Sequence, residues 1–264
     1  MAVYPKRFID QLQREVCLNS EPQRIISLVP SQTALLHYLG LEDEVVGITK
    51  FCIHPHVWFK TKTRIGGTKQ YNFDKIAALQ PDLIIANKEE NDKNSLERLM
   101  QTYKVWVSDI YNLKDALQMI SNIGNLVNKE SKAQLLISKI ETAFNQIKKP
   151  KTDKPLKVLY VIWHNPIMVA ASHTFIDSML HHCGFDNAAA AYQRYVTPEI
   201  QTLQVDLVML SSEPFPFTQK HLNLYQKLFP HAKICLVNGE TFSWYGSHLI
   251  NAPDYFNQLI ANIS

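Results

Sequence analysis

The stretch Ile76-Ala77-Ala78-Leu79-Gln80-Pro81-Asp82-Leu83-Ile84-Ile85 recurs 124 residues further on as Ile200-Gln201-Thr202-Leu203-Gln204-Val205-Asp206-Leu207-Val208-Met209. Between residues 74–90 and 198–214 six positions are identical at that offset: the Ile, Leu, Gln, Asp and Leu of the motif and, beyond it, Glu89 with Glu213. In each copy Ile and Leu stand three apart on one face of a short amphipathic helix, and a turn leads into an apolar run that reads as a buried strand. The repeat therefore predicts two related α/β lobes. Set side by side, their strand carboxyl ends would border one cleft, where open α/β sheets bind ligands.

Working outward, Arg24-Ile25-Ile26-Ser27-Leu28-Val29 reads as a strand, and Pro30-Ser31-Gln32-Thr33 starts a helix that Gly40 ends. Further strands are expected at Val45–Ile48, Leu83–Ala86 and Val105–Val107, with helices at Phe73–Leu79 and Leu96–Thr102 between them. Such alternation predicts a mostly parallel sheet. From Leu113 to Lys148 apolar residues recur at three- and four-residue steps without a proline, which predicts a long helix of roughly 50 Å, with Glu130-Ser131 as the place where it would divide. The second lobe opens with the strand Lys157–Ile162. It continues through a helix at Thr174–His182, the second motif copy, a helix at Leu222–Leu228, a strand at Lys233–Val237 and a final helix from about Pro253. The expected architecture is α/β, two Rossmann-like lobes with mostly parallel sheets joined by one long helix: residues 1–112, 113–148 and 149–264.

Composition bounds the function classes. The 264 residues are 46% hydrophobic, enough for a core in each of two lobes, and 27 basic against 24 acidic residues leave a net charge of +3 without a basic stripe. Nucleic acid is not an expected partner. No run of eighteen apolar residues occurs, so membrane insertion is not expected either. Met1–Ser20 is interrupted by Lys6, Arg7, Asp10, Arg14 and Glu15 and does not read as a secretory signal. The location expected is periplasmic or cell-surface if a signal has been removed, and cytoplasmic otherwise. Cys17, Cys52, Cys183 and Cys235 are scattered singly, a pattern that leaves their free or disulfide-bonded state open.

Pro22–Thr33, the run Leu39-Gly40-Leu41 to Val45-Val46-Gly47-Ile48, and Asp74-x-Ile76-x-x-Leu79-x-Pro81-Asp82-Leu83-Ile84 resemble the substrate-binding proteins of ABC importers for vitamin B12, haem and ferric siderophores, the helical-backbone metal receptors. The resemblance runs along nearly the whole chain and is stronger in its first half. It implies two lobes joined by one long helix, a ligand held between them, no catalysis and a monomer. It also implies an acidic residue on each lobe that pairs with arginines of an ABC permease. Asp74 stands at the first of those positions; at the second stands Pro198, with the acid displaced by one to Glu199. Both carboxylates equally suit helix N-termini, where they interact favourably with the free amides.

The loops that follow the strands carry the candidate ligand contacts: Ser31, Phe51, His54, Lys69 and Tyr71 from the first half, and Trp163, Tyr192, Tyr195, Glu240, Trp244, Tyr245 and His248 from the second. A flat macrocycle such as a corrin is held best by aromatic faces and a few peripheral hydrogen bonds. A cobalamin-like corrinoid is thus the leading ligand, with a ferric siderophore or haem as the alternative and no intrinsic cofactor. His54, His56, His164, His173, His181, His182 and His248 raise the option of a metal site, but their spacing matches no helical ligand pattern, so no bound metal is predicted. Gly-x-Ser-x-Gly, phosphate-cradling and dinucleotide-binding glycine motifs are absent. An enzyme or chaperone of tetrapyrrole metabolism on the same scaffold remains the reading from another class.

Overall fold

The computed structural model describes residues 4–263; Met1–Val3 and Ser264, the outermost residues of the two expected lobes and the start of the stretch read for a secretory signal, lie outside them. The chain forms two compact units. The first takes residues up to Asp109, Lys114–Lys139 and Tyr245–His248; the second takes Ile110–Leu113, Ile140–Trp244 and the residues from Leu249 on.

The first unit begins with an antiparallel hairpin, β1 (Lys6–Ile9) and β2 (Glu15–Leu18). It continues with β3 (Ile25–Ser27), α1 (Pro30–Leu39), β4 (Val45–Ile48), α2 (His56–Thr61), β5 (Thr63–Arg64), α3 (Phe73–Leu79), β6 (Leu83–Asn87), α4 (Lys93–Met100) and β7 (Val105–Ser108). Its five-stranded sheet has the order β5-β4-β3-β6-β7, parallel throughout. β3, β6 and β7 are buried on both faces, which is why they read as unbroken apolar runs. The edge strand β7 is covered at Val107, whose N–H donates to Asp10 Oδ2 and whose carbonyl accepts from Gln11 N. Asp10 is itself buried and held by the Arg14 guanidinium, so the hairpin loop is a fixed plug.

Two helices replace the single rod expected over 113–148: α5 (Leu113–Leu126) and α6 (Glu130–Phe144). The division falls just ahead of Glu130. Asn128 takes a left-handed conformation at φ 51°, which no helix can continue, and the chain turns so that Gln134 donates to Ser121. A Cβ on Gly124 would collide with that of Ala133, so the glycine permits the close passage of the two helices. α6 runs from the first unit, which holds it to Lys139, into the second, which takes it from Ile140.

The second unit contains β8 (Lys157–Trp163), β9 (Met168–Ala170), α7 (Phe175–His182), β10 (Asp186–Asn187), β11 (Tyr195–Val196), a 3-10 turn at Ile200–Thr202, β12 (Leu207–Ser211), α8 (Gln219–Leu228), β13 (Lys233–Val237), α9 (Gly239–Ser243), a second 3-10 turn at Ser247–Ile250 that begins in the first unit's segment, and α10 (Ala252–Ile263). Its sheet runs β11-β9-β8-β12-β13, with β10 beside β8; β9 pairs antiparallel with β8 and β11, and the other pairs are parallel. Leu159, Val161, Val208, Leu210, Phe217 and Tyr225 anchor the core.

The repeated motif lands on matching strands. β6 lies between β3 and β7, and β12 between β8 and β13, each trio parallel. The helical half of the motif does not match: the first copy is α3, while the second is a single 3-10 turn. Asn72 caps α3 by accepting from Lys75 N, whereas Glu199 supplies no side-chain cap and Pro198 precedes it.

Candidate functional site: the loops at the strand carboxyl ends

In the first unit a buried polar lattice fixes the loops that leave β3, β5 and β6. Asn87 Oδ1 accepts from the amides of Glu89 and Glu90 at 2.8 and 3.0 Å, while Asn91 donates to Leu28 O and Thr68 O. Ser108 and Gln32 complete the lattice beneath Asn87. Lys69 Nζ donates to the Glu89 carbonyl at 2.7 Å, and the Tyr71 hydroxyl to Thr68 O at 2.7 Å. Burial, reinforced by the charge of Asp92, pushes the Tyr71 phenol up, so it stays a donor. Cys52 is buried among Thr33 and Thr49, and burial raises its thiol, which makes it an inert packing residue.

Against this lattice lies the segment Tyr245–His248. The Tyr245 side chain, 5% exposed, donates its hydroxyl to Glu90 Oε1 at 2.9 Å; burial and then the Glu90 charge raise the phenol far beyond its ordinary range. Gly246 has φ 99°, and a Cβ there would meet Ser31 O and Leu35 Cβ, both at 3.3 Å, so glycine is what lets the segment press onto α1. Ser31, in the first turn of α1 and 2% exposed, lies close enough to bias the Tyr245 phenol, yet its hydroxyl makes no well-formed hydrogen bond. His248 stands 6.1 Å from His54, ring centre to ring centre, and its pKa is lowered by burial first and then by His54. Phe51 projects outward with Lys50 over its ring.

In the second unit the corresponding loops follow β8, β12 and β13. Trp163, at the last position of β8, is 41% exposed; its indole donates to Asn165 O and its ring stands T-shaped to that of Phe215, centres 5.6 Å apart. Behind it Phe215, Phe217, His164, His221 and Tyr225 form one aromatic cluster. His221 Nδ1 accepts from Thr218 N at 2.9 Å, which closes the first turn of α8. Glu213 Oε1 accepts from Ser243 Oγ at 2.7 Å and from Trp244 Nε1 at 3.1 Å, and burial, helped by Glu240, raises the carboxyl pKa against those two bonds. Tyr192 is exposed, Tyr195 sits half-buried in β11, and Glu240 lies in the first turn of α9.

The structure thus gathers Ser31, His54, Lys69, Tyr71, Tyr245 and His248 in the first unit. Trp163, Tyr192, Tyr195, Glu240 and Trp244 belong to the second. Tyr245 and His248, assigned by sequence order to the lobe from residue 149, group with the first unit, because Gly246 docks that segment on α1. Asp74 in α3 and Glu199 ahead of the 3-10 turn are both exposed. Among the described residues no three His, Cys, Asp or Glu side chains are placed to hold a metal ion, and the four cysteines are free. The sequence also offers Glu213 and Phe215 in a loop after β12, but not Glu90; the Glu89/Glu213 identity marks the two loops without showing which side chain is held.

A family model described as periplasmic binding protein matches residues 25–212. An uncharacterized ABC transporter substrate-binding lipoprotein of Bacillus subtilis is 29% identical over 198 residues, 71% of this chain and 62% of the relative, so the match spans less than two thirds of that protein. The vitamin B12-binding protein of Vibrio parahaemolyticus is 25% identical over 199 residues, 73% of this chain and 72% of the relative. Among solved structures, the periplasmic vitamin B12 binding protein of Vibrio cholerae superposes with a TM-score of 0.77 at 19% identity, over 92% of this chain and 99% of the other, which shows a shared fold.

Proposed function

The chain belongs to the periplasmic binding protein family, and on that premise we propose that it is the substrate-binding protein of an ABC importer and takes a corrinoid or a similar metal chelate through its strand-end loops, without chemistry. The observation that carries the reading is Trp163, a large aromatic ring left open at the carboxyl end of β8 and packed T-shaped against Phe215. An exposed indole braced from behind is costly in water and well suited to stack on a flat conjugated ligand. The vitamin B12-binding relatives favour a corrin among such ligands. Ser31, Phe51, His54, Lys69, Tyr71, Tyr245 and His248 on one unit, and Tyr192, Tyr195, Glu240 and Trp244 on the other, supply the further contacts.

The permease partner rests on Asp74 and Glu199, which are both exposed, as docking carboxylates must be. The chain works outside the cytoplasmic membrane in this reading, and among the described residues no helix is long and apolar enough to cross one. The deciding experiment is a titration of purified protein with cyanocobalamin, haem and ferric siderophores followed by absorbance and calorimetry. Saturable one-to-one binding of cobalamin is expected. Tight binding of haem or a ferric siderophore instead would move the assignment within transport, and no binding of any chelate would remove it.

A further inference from the structure

Charge and apolar surface are spread unevenly over the first unit. Residues 45–73 contain Lys50, Lys60, Lys62, Arg64 and Lys69 but no aspartate or glutamate. The same stretch carries Phe51, Ile53 and Val57, which are 50%, 44% and 50% exposed, three of the five large apolar side chains that stand exposed among the described residues of this unit. Exposed apolar residues scattered singly are ordinary, whereas three within seven positions make a patch. The transport reading uses Phe51 and leaves Ile53 and Val57 without a role.

Buried neighbours hold the patch outward. Cys52 is fully buried beside Thr33 and Thr49, and Trp58 is fully buried with the His37 ring T-shaped to it, centres 5.2 Å apart. Between those two anchors Ile53 is left facing water, and α2 carries Val57 three residues ahead of Lys60, where the two are neighbours on its exposed side. The basic side chains rest on neutral partners. Lys50 lies over the Phe51 ring, Lys62 donates to the Glu42 carbonyl and lies over Trp58, and Arg64 donates to the Phe59 carbonyl and lies over its ring. The Glu42 carboxylate itself stands 3.9 Å from His37. Among the described residues no carboxylate forms an ion pair with Lys50, Lys60, Lys62 or Arg64, so their charge is open to a partner.

We propose that this face of the first unit rests on an anionic phospholipid surface, with Ile53 and Val57 entering the headgroup layer and Lys50, Lys60, Lys62 and Arg64 lying against the phosphates. Such a surface supplies an apolar boundary for the aliphatic side chains and negative charge for the cations around them. Lysine suits it, because its stem lies along apolar groups while the ammonium reaches a phosphate in any direction. An acidic protein face would instead call for fixed pairs and would leave Ile53 and Val57 no apolar medium to enter. The contact is peripheral and needs no chelate, so it goes beyond the transport reading.

The test is cosedimentation of the purified chain with vesicles of phosphatidylglycerol and phosphatidylcholine, set against vesicles of phosphatidylcholine alone. The wild type is expected to bind the anionic vesicles, to leave the zwitterionic ones unbound, and to dissociate as salt is raised. Lys50→Gln combined with Lys60→Gln should lower the partition constant by about fivefold for each charge removed. Ile53→Ser combined with Val57→Ser should lower it several-fold, with both double variants checked for folding by thermal melts. Equal sedimentation with the two vesicle types would overturn the proposal, as would wild-type binding in either folded double variant. Binding only to vesicles that carry an ABC transporter would make the occupant a protein face and overturn it as well. Chelate binding without vesicle binding would sink this proposal and leave the transport reading standing; vesicle binding without chelate binding would do the reverse.

Discussion

Asp82 and Asp206 do the same job in the two units. Asp82 precedes β6 and its carboxylate accepts from the amides of Gln23 and Arg24, at the entrance of the neighbouring β3; Asp206 precedes β12 and accepts from the amide of Lys157, at the entrance of the neighbouring β8. Their own amides return the bond, to Arg24 O and Lys157 O. The repeated aspartate is thus a clamp that sets the register of two parallel strands where each begins.

Removing either clamp leaves strand-start amides to water while the sheet persists. Asp82→Ala and Asp206→Ala should each lower the unfolding free energy by about 1 kcal/mol, seen in denaturant titrations as a lower midpoint with unchanged slope. A midpoint that stays put in both would show that the shared aspartate has no structural role.

The glutamine beside it behaves differently in the two copies. Gln80 closes α3 in the left-handed conformation at φ 46°, whereas Gln204 is not among the positive-φ residues. Gln80→Gly should therefore stabilise the protein by about 1 kcal/mol, since glycine adopts that conformation without strain. Gln204→Gly should give no gain and also removes the acceptor of Lys157 Nζ. Thermal melts of the pair provide the comparison.

These positions show what the sequence made legible. Ile76, Asp82, Leu83 and their second copies announced the strands because burial on both faces leaves an unbroken apolar signature, and Asp82 sits at a turn in either copy. The helical half was over-read, because Ile200 and Leu203 carry the right spacing while the missing cap and Pro198 decide the length. Over 113–148 the apolar periodicity continues straight through Val127 and suggests one rod, yet the helix divides where Glu130-Ser131 marked it, at the left-handed backbone of Asn128. Short elements such as α2, β9 and α9 left no periodic signal at all. At the candidate site, aromatic-rich loops named Trp163 and Tyr245, but the pairing of Tyr245 with Glu90 joins residues 155 apart and no local pattern encodes it.

Glu213 gives the structure a pH dependence of definite sign. Burial outweighs its bonds to Ser243 and Trp244 and raises the folded carboxyl above its ordinary value. A group that holds its proton more tightly when folded favours folding below its unfolded pKa, and that contribution is lost as pH rises through the folded pKa. At neutral pH the ionised Glu213 is therefore a burden. Glu213→Gln should raise the melting temperature at pH 7.5, with the gain shrinking on acidification through the folded pKa and vanishing below the unfolded one. A lower melting temperature for E213Q at pH 7.5 would mean that the charged bonds to Ser243 and Trp244 outweigh burial.

The proposed docking role of Asp74 and Glu199 can be tested separately from ligand binding. Asp74 and Glu199 are exposed, and Asp74 leaves the capping of α3 to Asn72. Asp74→Ala combined with Glu199→Ala should keep the melt within about 0.5 kcal/mol of wild type, the usual range for surface changes. Chelate affinity should also hold, while stimulation of the cognate transporter in liposomes falls by at least several-fold. Loss of chelate affinity in the double variant would place these acids in the ligand site instead.

Trp163 turns the proposed ligand contact into a spectroscopic assignment. Of the four tryptophans, Trp58 and Trp106 are fully buried and Trp244 is 8% exposed with its indole held by Glu213; only Trp163 presents its ring to solvent. Iodide should therefore quench Trp163 selectively in the ligand-free protein, and Trp163→Phe should remove most of the quenchable emission. If a flat chelate stacks on this ring, saturating cobalamin should protect it from iodide, and Trp163→Ala should weaken binding by about tenfold, the loss of one aromatic stacking contact of roughly 1 to 1.5 kcal/mol. Trp163→Phe should retain part of that affinity, because a phenyl ring preserves the stack over a smaller area. Full affinity in Trp163→Ala would show that the exposed indole does not meet the ligand, and Phe215 behind it would then be a packing residue of the second unit alone.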